Sequence, residues 1–356
     1  MTEKFDCLED FENLAKTILE KARFKWIAGG SDDMVTLTDN KKAFDRYRFR
    51  PRLLQDVSKL DTSTTLLGNT IASPIAMSPT AFHRLADYNE GEKATAKASC
   101  SANTLMVLSS FSNTRIEDVK KAAPDGLYWM QVQLFKDKRI TENVVRRADA
   151  AGFKALVLTA DQPVFGKNRR DSAYKNISLK DHPDLLRSIN LEYAGLEKYQ
   201  IDDAQTWEDI KWLKTITKLP IVVKGITTGA DAKIAVQYGA DAILVSNHGG
   251  RQLEFLPATI DALSEVVAAV EGSGVEVYMD GGVRRGTDVL KALARGARAV
   301  FIGRPIFWGL ACNGEEGVTQ VLDILKEEFR RSMCLIGCSR LSDITPSMVV
   351  HESYYY

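Results

Sequence analysis

The chain has 356 residues, 45% hydrophobic and 26% charged, and its 47 basic and 47 acidic side chains cancel to a formal charge of zero. That length leaves room for two average domains or for one α/β barrel, with enough apolar material for a large core. Balanced charge without acidic or basic blocks gives nucleic acid and anionic membranes no electrostatic attraction, so neither is expected as a partner. No apolar run reaches bilayer-spanning length, and the N-terminus lacks the charged-then-apolar pattern of a secretory signal, so an intracellular protein is expected. Five cysteines, Cys7, Cys100, Cys312, Cys334 and Cys338, contain no C-x-x-C pair and read as reduced thiols. The four histidines, His83, His182, His248 and His351, are too scattered for a metal cluster, and no metal is expected.

In chain order, residues 8–28 carry a helical pattern that Gly29-Gly30 ends. Residues 62–71 read as a small hairpin turning at Gly68-Asn69, and such a hairpin would cap one mouth of a barrel. Short apolar runs then alternate with helical patterns. The runs are Ile75-Ala76-Met77, Leu105-Met106-Val107-Leu108, Tyr128-Trp129-Met130, Ala155-Leu156-Val157-Leu158, Ile221-Val222-Val223, Ala242-Ile243-Leu244-Val245, Val277-Tyr278-Met279 and Ala299-Val300-Phe301-Ile302. Helical patterns fall at 116–123, 141–151, 207–214, 230–238, 260–270 and 286–294, with an amphipathic terminal helix at 317–333. Strand and helix alternating through eight runs predict a (β/α)8 TIM barrel, read as a single domain over residues 1–356. The polar interval 166–203 is too long for an ordinary connection and reads as a lid-like insertion.

In such barrels chemistry gathers where the strands end. The first four runs lead into Ser78-Pro79-Thr80-Ala81, Ser109-Ser110-Phe111, Gln131-Val132-Gln133 and Thr159-Ala160-Asp161. The last four lead into Lys224-Gly225, Ser246-Asn247-His248-Gly249-Gly250-Arg251, Asp280-Gly281-Gly282-Val283-Arg284 and Gly303-Arg304. His248 can exchange a proton near neutral pH, and Arg251 can hold a carboxylate or phosphate by paired hydrogen bonds. Asp161, two strands away, would orient the imidazole; a satisfied loop histidine is the alternative. The glycines and arginines after the last two runs suit a phosphate, although a tight structural turn would also use Asp280-Gly281-Gly282. Lys224 is either a buried cation facing a cofactor ring or a solvated rim lysine.

Together these residues resemble the FMN-dependent α-hydroxy-acid oxidase family, the glycolate oxidase and long-chain hydroxy-acid oxidase group, over nearly the whole chain. The stretches S-N-H-G-G-R-Q-L, D-G-G-V-R-R-G-T-D-V-L-K-A-L-A and F-I-G-R-P carry the resemblance. It implies FMN at the C-terminal mouth, with Pro79, Thr80 and Ala81 along the flavin. Ser109, Gln131 and Thr159 would bond its ring edge, and Lys224 would sit where reduction places negative charge. Asp280, Gly281, Gly282, Arg284, Gly303 and Arg304 would hold the phosphate, with Ser246 fixing the ribityl chain or ring. His248 would be the base, Asp161 its partner and Arg251 the carboxylate clamp. The implied reaction oxidises an (S)-2-hydroxy acid to a 2-oxo acid, with O2 reduced to hydrogen peroxide. The resemblance also implies a homotetramer in the peroxisome, although Tyr354-Tyr355-Tyr356 is not the usual peroxisomal tripeptide and the cytosol stays open.

The substrate side departs from the family pattern. Trp26 and Gln133 stand where the family prefers tyrosines, Phe111 replaces a tryptophan common in glycolate oxidases, and an arginine pair is shifted to Arg169-Arg170. The larger apolar faces of Trp26 and Phe111 suit a medium or long-chain, or aromatic, acid better than glycolate, while Gln133 retains an amide for polar contact. Two rival readings remain at this stage. One is an FMN-binding barrel with lost or altered oxidase activity; the other is a phosphate-binding barrel without flavin.

Overall fold

The computed structural model describes residues 5–167 and 200–355. Eight parallel strands close into a barrel. They are β1 Ile75–Thr80, β2 Leu105–Leu108, β3 Leu127–Val132, β4 Leu156–Thr159, β5 Ile221–Ile226, β6 Ala242–Val245, β7 Glu276–Asp280 and β8 Ala299–Ile302. Each pairs with its sequence neighbours, and β8 returns to β1 through Val300↔Ile75, Phe301↔Ala76 and Ile302↔Met77. Each of the apolar runs became one of these strands, so the (β/α)8 expectation holds. The reason is burial on two sides: β2, β4, β6 and β8 are buried at every residue. Only strands covered by helices outside and side chains inside read so uniformly apolar.

Alternation along the strands divides their side chains between two cores. Ile75, Met77, Met106 and Leu108 pack outward under the helices. Ala76, Val107, Trp129, Val157, Tyr278 and Phe301 point inward and fill the barrel. Trp129, Tyr278 and Phe301 lie 5.4 to 6.0 Å apart between ring centroids, which leaves a packed interior rather than a pore.

The hairpin of Thr64–Leu66 and Asn69–Ile71 plugs the N-terminal mouth, since Leu66 and Ile71 belong to the interior cluster. Its turn lies one residue earlier than predicted. Leu66 pairs with Asn69, so the turn residues are Leu67 at φ 44° and Gly68 at φ 79°. Two positive φ angles are what a two-residue turn of matching twist requires. Asn69 instead closes the turn from the strand, its amide donating to the carbonyls of Leu66 and Leu67 at 3.3 and 3.0 Å.

The N-terminal helix is also corrected. It is two helices, Leu8–Ile18 and Lys21–Ala28, separated by extended Leu19 and Glu20 with ψ near 143° and 135°. The break lets Phe11 bury at the periphery while Phe24 stacks on Trp308 at 5.2 Å and Trp26 reaches the barrel mouth. The predicted terminal helix belongs to a longer run, Arg304–Ile336, interrupted at Asn313 and at Gly314, where φ is 56°. All five cysteines are free thiols, with Cys338 buried against Met348. Among the described residues no helix is long and apolar enough to cross a membrane. Of the predicted insertion 166–203, only the ends are described; Arg169 and Arg170 lie outside the described residues.

Candidate active site

A cavity of about 460 Å³ opens at the C-terminal ends of the strands. Its size falls within the roughly 300–1,000 Å³ usual for ligand sites. Residues at or just past the ends of seven strands and in the loop after β6 contribute to its wall, so the predicted face is the one that is hollow.

A buried polar arc crosses the cavity from β2 to β5. Ser109 donates to Gln131 Oε1 at 3.3 Å, and Gln131 Nε2 donates to Thr159 Oγ1 at 3.0 Å. Thr159 then pairs across the ladder with Lys224. All four line the cavity and are at most 5% exposed. Among the described residues the Lys224 ammonium has no hydrogen-bond partner, and the rim-lysine reading fails because the residue is 3% exposed.

His248 and Asp161 meet as expected, with Nδ1 3.0 Å from Oδ1. That contact occupies Nδ1 and leaves Nε2 as the ring nitrogen available to a ligand. Burial pushes the Asp161 carboxyl up, but the charges of Lys224 and His248 and the hydrogen bond to His248 outweigh it and hold it below the usual value. Two backbone features make the pair possible. Gly225 sits at φ 111° beside a register shift in β5, where a Cβ would lie 2.5 Å from that of Asp161. His248 itself has φ 58°, a strained conformation for a residue with a Cβ, and its N–H is held by Ser246 Oγ at 3.0 Å.

Arg251 lines the cavity with its guanidinium 4.7 Å from the centre of the Trp26 ring, donating to the carbonyls of Trp26 and Gly29 at 2.9 and 3.1 Å. Trp26 therefore meets Arg251 by its ring face as well as by its backbone. From Trp26 an aromatic row runs through Phe82, Phe111 and Phe165, with centroid separations of 5.5, 6.3 and 6.1 Å. Arg304 also reaches the cavity, but Nε, Nη1 and Nη2 donate to Ile27, Gly249 and Gly29. Three of its five N–H groups thus brace the loops, leaving at most two for an anion.

Opposite the polar arc, Asp280, Gly281, Gly282, Arg284 and Gly303 form a second lobe of the wall. Asp280 accepts from Ser78 at 3.0 Å on Oδ2, while its Oδ1 and the Nε of Arg284 are buried without partners among the described residues. Desolvation pulls the Arg284 guanidinium below its usual value despite the nearby charges of Glu12 and Asp288. Unmatched buried groups cost about 1–3 kcal/mol each. A ligand with an electron-rich ring edge, hydroxyls and a phosphate would satisfy Lys224, Asp280 and Arg284 in turn, so the residues fit FMN.

The remaining predicted positions divide. Pro79, Thr80, Ala81 and Phe111 line the cavity. Asp161 and Ser246 stand behind the wall, acting on His248. Gln133 is fully buried outside the lining, and its amide donates to the backbone of Gln162 at 3.1 Å. The sequence suggested a place beside the substrate for Gln133; in the structure its amide is taken up by the backbone of the neighbouring loop.

Several supports escaped the sequence reading. Asn40 and Asn247 exchange amide hydrogen bonds of 2.9 Å, joining the N-terminal segment to the His248 loop. Glu254 accepts from the backbone of Asp33, Val35 and Thr36 at 3.0, 3.1 and 2.9 Å. Gln252 Nε2 donates to the carbonyls of Asp161 and Val164 at 3.2 and 3.0 Å. His83 is buried, with Nε2 2.6 Å from Thr80 Oγ1. Of these residues, Asn247 and Gln252 stood in a stretch already singled out, S-N-H-G-G-R-Q-L.

Known proteins resemble this chain in sequence and in fold. The model of the FMN-dependent dehydrogenase family matches residues 15–351. The chain is 50% identical over 351 residues to 2-hydroxyacid oxidase 2 of Mus musculus, covering 96% of this chain and 98% of that one. It is 47% identical over 348 residues to glycolate oxidase 3 of Arabidopsis thaliana, covering 94% and 93%. Among solved structures, mandelate oxidase with benzoyl-formic acid superposes with a TM-score of 0.88 at 37% identity, over 96% of this chain and 98% of that one. With the barrel, the polar arc and the His248–Asp161 pair in place, the chain belongs to the FMN-dependent dehydrogenase family and is a flavoprotein enzyme whose cofactor is FMN.

Proposed function

We propose that the protein oxidises (S)-2-hydroxy acids to 2-oxo acids, favours medium or long-chain or aromatic substrates, and passes the electrons to O2 with release of hydrogen peroxide. The observation that carries the reading is the convergence of Arg251 and the Asp161-held His248 on one cavity with buried Lys224, which has no hydrogen-bond partner among the described residues. Arg251 pairs with the substrate carboxylate and sets the position of the α-carbon. Nε2 of His248 accepts a proton from the substrate, and the Asp161 carboxylate stabilises the imidazolium that results. Lys224 holds negative charge where the polar arc ends, and bound FMN supplies the two-electron acceptor. The aromatic row from Trp26 to Phe165 supports the preference for a large acyl group, because it lays an apolar surface along the cavity wall. By resemblance to the family, the reading extends to a homotetramer in the peroxisome or cytosol.

An anaerobic absorbance titration of the purified holoenzyme with glycolate, 2-hydroxyoctanoate and mandelate tests the proposal. Flavin bleaching is expected, strongest with the two larger acids, followed by peroxide formation when air is admitted. Glycolate as the best substrate overturns the size preference. Absence of bleaching with all three acids overturns the oxidation itself.

A further inference from the structure

Gln162 follows Asp161 directly, is 8% exposed and lines the cavity. Its side-chain amide makes no hydrogen bond among the described residues. An amide held at a cavity wall with both its donor and acceptor uncommitted is costly unless a ligand or water meets it. The backbone that carries it is gripped from two sides. Gln133 Nε2 donates to the carbonyl of Gln162 at 3.1 Å, while Gln252 Nε2 donates to those of Asp161 and Val164 at 3.2 and 3.0 Å. Three carbonyls within four residues are thus fixed by two buried or half-buried glutamines, which fixes where the Gln162 side chain emerges.

The chemistry of a 2-hydroxy acid limits what that amide can read. Its carboxylate goes to Arg251, and an apolar acyl chain has nothing to offer an amide. The oxygen on C2 is the polar group that remains, and it must lie near His248, whose partner Asp161 adjoins Gln162 in sequence. An N–H donated to the hydroxyl oxygen would leave the hydroxyl proton free to face Nε2 of His248. In the 2-oxo product the oxygen is an acceptor alone, so the same N–H would still serve. We infer that Gln162 recognises the C2 oxygen of substrate and product, and that Gln133 is a positioning residue acting through the Gln162 backbone. The inference rests on the proposed 2-hydroxy-acid chemistry and adds a specificity residue to it.

The test is ligand binding to the oxidised holoenzyme, read from perturbation of the flavin spectrum by 2-oxooctanoate and by octanoate, which lacks the C2 oxygen. One neutral hydrogen bond corresponds to about a five- to tenfold change in Kd. Gln162→Ala is expected to weaken 2-oxooctanoate by that factor and to leave octanoate within about twofold. Gln133→Leu should give the same selective loss, and the double variant should be no worse than Gln162→Ala alone. Thermal melting checks that Gln133→Leu is folded; Gln162→Ala, at the cavity wall, carries the test if it is not. Unchanged 2-oxooctanoate binding in Gln162→Ala overturns the inference, as does equal weakening of both acids. Additive losses in the double variant overturn the role of Gln133. A wild-type protein that binds no 2-oxo acid and bleaches with no 2-hydroxy acid refutes the underlying function instead.

Discussion

Replacing Asp161 by asparagine keeps the size and hydrogen-bonding reach of the side chain but removes its charge, and so isolates the electrostatic contribution to His248. The two groups are 3.0 Å apart, with side-chain exposures of 25% for His248 and 11% for Asp161. At an effective dielectric of about 20, an imidazolium and a carboxylate at that separation attract by roughly 5 kcal/mol. Partial solvent access at the histidine reduces this, and charge-assisted hydrogen bonds in proteins are worth about 1.5–3 kcal/mol net. About 2–3 kcal/mol of stabilisation of protonated His248 should therefore disappear, slowing flavin reduction about 30- to 150-fold. Anaerobic stopped-flow absorbance with 2-hydroxyoctanoate measures that step directly. Binding of 2-oxooctanoate, which requires no proton transfer, should change less than about threefold. A reduction rate within about threefold of wild type would refute the role assigned to Asp161. So would an equal loss of product binding, which would make the residue a structural support of the cavity.

Three further outcomes follow from the same geometry. Gly225→Ala forces a Cβ to within 2.5 Å of the Asp161 Cβ at a φ of 111°; a stability loss of about 1–3 kcal/mol in denaturant unfolding is expected, with flavin reduction at least as slow as in Asp161→Asn. Trp26→Leu removes the ring beneath the Arg251 guanidinium, an interaction worth about 0.5–2 kcal/mol, so octanoate and 2-oxooctanoate should weaken together by about two- to thirtyfold in spectral titration. Glu254 is pushed up by burial but held below its ordinary value of 4.5 by the backbone N–H groups it accepts. Its stabilisation is therefore complete above that value and fades as pH falls through the lower native one. Glu254→Gln should be less stable than wild type at pH 7, and unfolding curves at decreasing pH should show the gap narrowing below about 4.5.

How much of this was visible beforehand depended on whether the signal was local. The eight strands were legible because each lies between an outer and an inner core, and double burial writes itself as a short apolar run. Lys224, His248, Arg251 and Asp280 were legible because they interrupt such runs at one end. The hairpin turn was misplaced by one residue because Leu67 accepts a positive φ that its type disfavours, and the ladder register rather than composition decides that. The break at Leu19 and Glu20 escaped for a similar reason: the helical pattern runs through it, and the demands of Phe11, Phe24 and Trp26 on three different surroundings impose it.

By itself the sequence determined the barrel, the face on which chemistry occurs and the residues with the right chemistry to act there. Those follow from period and composition, which each segment carries within itself. Tertiary structure alone decided how these residues are shared out. It set Asp161 and Ser246 behind His248, spent three donors of Arg304 on loop carbonyls, laid Arg251 on Trp26, and withdrew Gln133 to hold Gln162. Apart from the Ser246–His248 contact within one loop, each joins segments far apart in sequence. Side-chain length and backbone direction, summed over the closed ring, choose the partner, and no local pattern encodes that sum.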